Sequence, residues 1–204
     1  MRNLNFLIAA LVLAAAPVWA GSLEDAASAY LLGDYVTAVR IWRPMAEGGD
    51  ADAQYSLGLM YANGLGVSKD DHEAAYWFRK ASDGRIAKAQ NNLGLMYSTG
   101  RGVPKDDQQA AFWFREAAEQ GLAKAQSNLG LMYESGRGVP KDGQQAYFWL
   151  LLASGGGDAG AALNRDLIGS RLTGDQRAAA LADARKPHPP RPDSPPSATG
   201  RPDR

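Results

Sequence analysis

From Ala51 onward the apolar residues fall at spacings of three and four instead of alternating, the signature of helices that bury one face. Ala53, Leu57, Met60 and Tyr61 share one such face, and Ala74, Trp77, Phe78 and Ala81 share a second. Between them runs a punctuated segment, Asn63 to Asp70, in which Gly64 and Gly66 supply the backbone freedom that ends one helix and turns the chain. The pattern predicts a helix hairpin, and the hairpin recurs. The 36-residue block that starts at Ala51 returns in phase at Ala87 and Ala123. A repeat of that length, carrying neither a metal site nor a nucleophile, predicts a stacked interaction scaffold.

The second helix of each block has a marked start. Asp70, Asp106 and Asp142 are placed to accept hydrogen bonds from first-turn amides, with Glu73, Gln109 and Gln145 three residues on as reciprocal caps. Pro104 and Pro140 stiffen the entry in the later copies. Gly58, Gly94 and Gly130 lie inside the first helix, where glycine costs roughly 1 kcal/mol relative to alanine. A cost incurred three times predicts close helix approach, at Ala74, Ala110 and Ala146, with Trp77, Trp113 and Trp149 packing nearby.

The strings AQ..LGLMY, G.GV.KD and A..WF..A cover residues 51 to 158 without a gap, with LGLMY opening at Leu57, Leu93 and Leu129. In these strings the chain resembles the Sel1-like repeat family, relatives of the tetratricopeptide repeat. Leu57, Gly58, Tyr61, Ala74, Phe78 and Ala81 match the tetratricopeptide positions, while Leu150 replaces the phenylalanine in the third copy. The resemblance implies an all-α fold, a right-handed α/α superhelical solenoid of helix hairpins. It also implies an adaptor role, with the first helices lining a concave groove.

Repeats are then expected at 51–86, 87–122 and 123–158. Residues 21–50 read as a degenerate leading repeat, in which Ala38 keeps phase with Ala74 and Ile41 replaces the tryptophan. Residues 159–186 read as C-terminal capping helices, the second opening on a Thr173–Gln176 capping box. Residues 1–20 have the form of a secretory signal peptide: Arg2, an apolar stretch from Phe6 to Ala16, then small residues up to Ala20. That stretch is too short to span a bilayer, which needs about 18 apolar residues or more. A periplasmic or secreted protein without a membrane span is the expectation. Residues 187–204 hold seven prolines and read as an extended, disordered tail with a mild cationic excess.

Composition narrows the chemistry. Lys+Arg and Asp+Glu stand at 22 each, so no global field attracts nucleic acid. The absence of cysteine removes disulfides, thiolate metal sites and cysteine nucleophiles. His72 sits among Asp70, Asp71 and Glu73 at a helix start, and His188 lies in the tail, so neither anchors a zinc site or a triad. The capping aspartates occupy the helix N-termini that a phosphate would need. Neither a cofactor nor a metal is expected. Lys69, Lys105 and Lys141, with Arg101 and Arg137, read as a solvated row beside aspartates.

Residues that hold hairpins together must repeat, so Tyr61, Tyr97 and Tyr133 read as packing. By the same logic the candidate partner-binding residues are those that differ between copies: Tyr55, Asn91 and Ser127; Asp52, Lys88 and Lys124; Ala62, Ser98 and Glu134. Two readings of these slots stand, a recognition face and unconstrained exposed positions. The leading function is a non-catalytic exported scaffold for an envelope or extracellular protein. The alternatives are peptidoglycan binding and a cell-wall hydrolase or β-lactamase-like activity. Secreted relatives to which the last is ascribed carry paired cysteines that this chain lacks.

Overall fold

A computed structural model of the chain describes residues 21–186. The expected leader and the proline-rich tail, with His188, lie outside the described residues. Among these residues there are ten helices and no strand: α1 (Leu23–Leu31), α2 (Tyr35–Glu47), α3 (Ala51–Asn63), α4 (Asp71–Asp83), α5 (Ala87–Thr99), α6 (Asp107–Glu119), α7 (Ala123–Ser135), α8 (Gly143–Gly155), α9 (Ala159–Gly169) and α10 (Gly174–Ala184). Each of α2 to α8 packs against the helix before it and the helix after it, which is the connectivity of an all-α solenoid, and α10 returns onto α8.

Local chemistry sets the helix ends. Gly64, Gly100 and Gly136 close α3, α5 and α7 in the left-handed conformation at φ of 70°, 74° and 71°. Asp70 Oδ1 accepts from the amides of His72 and Glu73 at 2.8 and 3.1 Å, Asp106 caps α6 in the same manner, and Asp142 caps α8 through the Gln145 amide alone. The reciprocal arm differs from expectation. No capping box closes α4, α6 or α8; the Glu73 carboxylate instead accepts the indole N–H of Trp77 at 3.1 Å. For α4 the physical reason is position, since Trp77 lies one turn along on the same face; the equivalent indole N–H groups of Trp113 and Trp149 are buried without a hydrogen-bond partner among the described residues. Capping boxes do form at Ser22–Asp25 and Thr173–Gln176.

The mid-helix glycines mark close approach, but the residue that approaches is a large one. A Cβ at Gly58 would lie 2.6 Å from Phe78 Cδ1, one at Gly94 2.7 Å from Phe114, and one at Gly130 2.8 Å from Leu150 Cγ. Gly58 and Gly94 therefore receive a ring rather than the expected alanines, because the ring's bulk needs the missing Cβ, whereas Gly130 meets both Leu150 and, at 3.2 Å, the expected Ala146 through its carbonyl oxygen. Leu57, Leu93, Leu129 and Leu150 are fully buried beneath these contacts.

Recurrent polar ties hold one repeat to the next. Gln54, Gln90 and Gln126 donate to the carbonyls of Ala46, Ser82 and Ala118, at the end of the preceding helix. Arg43 and Arg115 donate to the phenol oxygens of Tyr61 and Tyr133 at 3.0 and 2.7 Å, and Arg79 does the same to Tyr97. The repeating tyrosines are thus half-buried packing residues whose hydroxyls are also bonded. Gly102 and Gly138 lie so close to the preceding repeat that a Cβ would come 1.9 Å from the carbonyl oxygens of Asp71 and Asp107. Beside them Arg101 and Arg137 pair with those same aspartates at 2.7 and 2.6 Å. The last junction has none of these ties: Ala162, Leu151 and Gly169 stand in the slots of the glutamine, arginine and tyrosine. Ile168 packs there against Leu150, Ala153 and Ala161.

Candidate partner-binding groove

The string LGLMY contains two leucines that one helix face cannot share. At about 100° per residue, positions two apart point about 200° away from each other. Leu57 and Met60 accordingly turn inward and are buried, while Leu59, two residues from Leu57, is half-exposed. Its counterparts Leu95 and Leu131 are 39% and 41% exposed. Leu59 and Leu95 line one cleft together, and Leu131 holds the same position in α7.

An open cleft of ≈ 310 Å³ lies between α3 and α5. Leu59 and Ala62 of α3 and Leu95 of α5 give it an apolar floor, and Asn63, Asn92, Thr99 and Arg101 edge it. The edge is partly self-satisfied. Asn63 donates to Leu59 O at 2.9 Å and Thr99 to Leu95 O at 2.7 Å; away from the cleft, Ser135 makes the equivalent bond to Leu131 O at 2.8 Å. Arg101 is engaged by Asp71, and this hydrogen-bonded pairing holds the Asp71 carboxyl below its ordinary value and raises the guanidinium. The same relation joins Arg137 to Asp107. A leucine floor with bonded polar edges offers shape and apolar area, and no reactive group.

The residues singled out by variation occupy three different places. Asn91 and Ser127 are buried, at 7% and 6% exposure, in the seam between successive first helices. Asn128 Nδ2 donates to Asn91 Oδ1 across that seam at 3.0 Å. Tyr55 is half-buried against the ring of Phe78, centroids 5.9 Å apart; burial pushes its phenol up, with a hydrogen bond from Asn92 opposing. The trio therefore lies at the seam: Asn91 and Ser127 are buried there, and Asn128 of the next repeat bonds Asn91. Asp52, Lys88 and Lys124 are exposed, and Lys124 Nζ lies 3.9 Å from the Asp158 carboxylate that caps α9. Of the third set, Ala62 lines the cleft, the carbonyl of Ser98 accepts from Arg137, and Glu134 pairs with Arg171 at 2.8 Å.

Repetition alone does not distinguish the leucine row from the core, because core positions repeat as well. The signal was nonetheless present, since the two-residue spacing within LGLMY already places Leu57 and Leu59 on opposite faces. Among the described residues no group of three His, Cys, Asp or Glu gathers as a metal site, and no helix is long and apolar enough to cross a membrane.

Comparison with known proteins supplies the family. The Sel1 repeat model matches residues 51–84, 87–122 and 123–158. Among solved structures, the chain is similar to a Sel1 repeat protein from Oxalobacter formigenes, with 34% identity and a TM-score of 0.69 over 72% of this chain and 60% of that one. It is also similar to c5321, a protective antigen present in uropathogenic Escherichia coli strains that displays the SLR fold, with 31% identity and a TM-score of 0.55 over 78% of this chain and 44% of that one. The chain thus spans less than two thirds of either relative's length. No curated protein matches it significantly. Sel1 repeat proteins generally act as protein-interaction scaffolds. With three matched repeats in register over helix pairs that stack in sequence, this chain belongs to the Sel1 repeat family.

Proposed function

We propose that the protein is an exported, non-catalytic adaptor that holds a segment of another protein along the leucine row of its first helices. The observation that carries this reading is the exposure of Leu95 and Leu131, at 39% and 41%, in register on successive repeats. Apolar side chains repeated on an accessible face gain from being covered, at about 25 cal/mol per Å² of apolar surface removed from water. The bonded Asn63 and Thr99 side chains along the edge favour a partner that brings its own apolar anchors. The scaffold character of the family and the leader-like pattern of residues 1–20 support export and envelope binding.

Crosslinking capture of the protein in its native envelope fraction, with nitrocefin and peptidoglycan turnover measured on the same sample, tests the reading. One specific protein partner and no turnover is the expected result. Robust turnover, or sedimentation with purified peptidoglycan in place of protein capture, contradicts it.

A further inference from the structure

The cleft between α3 and α5 has a lip at the C-terminal ends of its two walls, where Asn63 is the last residue of α3 and Arg101 follows α5. Both side chains are only partly engaged. Arg101 gives its Nε and Nη2 to Asp71, at 3.5 and 2.7 Å, and among the described residues its Nη1 donates to nothing. Asn63 donates through Nδ2 to Leu59 O, which leaves its Oδ1 open as an acceptor. The equivalent arginine of the next repeat is engaged further: Arg137 pairs with Asp107, and its Nη2 also reaches Ser98 O at 3.4 Å. In the first cleft Ala62 stands in the Ser98 slot, and among the described residues Arg101 makes no such bond to it. Arg101 thus keeps toward the cleft a donor that Arg137 turns onto its own chain. An open donor and an open acceptor beside an apolar floor complement one peptide unit, with its C=O and N–H. Asp71 decides the kind of acceptor. Its carboxylate already balances the guanidinium, so a second carboxylate gains no net attraction, whereas a neutral carbonyl leaves the pair balanced.

We propose that the cleft takes an extended segment of the partner protein: one apolar side chain rests on Leu59, Ala62 and Leu95, and the adjoining main chain donates to Asn63 Oδ1 and accepts from Arg101 Nη1. The extended conformation follows from the same groups. Inside a helix every N–H and C=O is bonded within the helix, so a helical segment offers the lip neither. An extended chain points its side chains to alternate faces and leaves the main-chain groups free between them. The bond to the guanidinium is charge-assisted, and Asp71 holds that guanidinium in place beforehand, so little side-chain freedom is lost on binding. The inference rests on the groove reading above and adds to it the conformation of the bound segment and the two side chains that grip its main chain.

The probe is a phage-displayed library of random peptides, selected on the full chain and counter-selected on the Leu95→Gln, Leu131→Gln variant; the most enriched peptide is then synthesised and titrated. Arg101→Met is expected to weaken its binding by about tenfold with the thermal melt little changed, and Arg137→Met is expected to leave the affinity where it was. Replacing single amides of the peptide by esters should find one sensitive position beside the apolar anchor. Proline elsewhere in the peptide should be tolerated, as a bound helix would not allow. Equal affinities for the original protein and Arg101→Met, or a peptide that proline abolishes at every position, overturn the inference while the leucine groove stands. A library that yields no peptide dependent on Leu95 and Leu131 defeats the groove reading, and this inference with it.

Discussion

The first helices carry two slots that behave oppositely. Tyr55, Asn91 and Ser127 differ in every copy, yet Asn91 and Ser127 are buried; Leu59, Leu95 and Leu131 never differ, yet Leu95 and Leu131 stand open at 39% and 41%. The contrast shows that repetition and burial are separate properties in a solenoid. A seam slot can vary because the next repeat supplies a fitting neighbour: Asn128 bonds Asn91, and Asn92 bonds Tyr55. The leucine slot is only partly closed by the molecule itself: Leu59 packs against the cluster of Ala74, Phe78 and Leu93, while Leu95 and Leu131 keep much of the surface proposed to take a partner.

The strongest way to sharpen the comparison is to disturb the docking that creates the seam. Gly102→Ala places a Cβ 1.9 Å from the Asp71 carbonyl at a φ of 63°. Left-handed strain and overpacking together should lower stability by about 2–5 kcal/mol in urea unfolding. Gly121→Ala is the control, because its φ is 87° but nothing lies within 4 Å; about 1–2 kcal/mol is expected there. Equal losses would mean that the loop does not press on the preceding repeat.

Two leucines two residues apart give the next contrast. Leu129→Ala, at 0% exposure, should cost about 2–5 kcal/mol, whereas Leu131→Ala should cost no more than about 1 kcal/mol. Comparable losses would place Leu131 in the core. In the seam, Asn128→Ala strands the buried Asn91 carbonyl oxygen and should cost about 1–3 kcal/mol. A neutral result would return the seam slot to an ordinary surface.

The smallest effect concerns the loop ion pairs. Asp71 and Asp107 titrate below their ordinary value because Arg101 and Arg137 hydrogen-bond to them. A folded-state pKa depressed in this way adds stability above the unfolded carboxylate value and loses it as pH falls toward the folded value. These pairs are solvent-exposed, so Arg101→Met with Arg137→Met should cost about 0.2–1 kcal/mol per pair at neutral pH. That difference should close as pH falls through about 4. A gap that persists in acid would assign the loss to packing of the arginine stems.

The hairpins, the capped starts of their second helices and the closing glycines were legible because each rests on local signals: apolar period, capping aspartate, glycine after the last turn. The capping-box arm at Glu73 was not, since an indole from the next turn competed for the carboxylate. The junction ties were equally hidden, although Arg43, Arg79 and Arg115 recur in phase, because their tyrosines lie 18 residues on in the following helix. The polar seam was hidden for a different reason. Variation between copies marks what the stack does not require to be identical, and a buried polar seam that adjusts pairwise meets that description as well as a binding face does.

The central claim is that the constant leucines, and not the varying seam residues, make the binding surface. Its most direct test is the affinity of the captured partner, measured by titration, for the original protein, for Leu95→Gln with Leu131→Gln, and for Ser127→Ala. The account predicts at least about a tenfold loss for the leucine pair, with the fold retained, and no change for Ser127→Ala. Undiminished binding by the leucine variant, or a loss confined to Ser127→Ala, would contradict it.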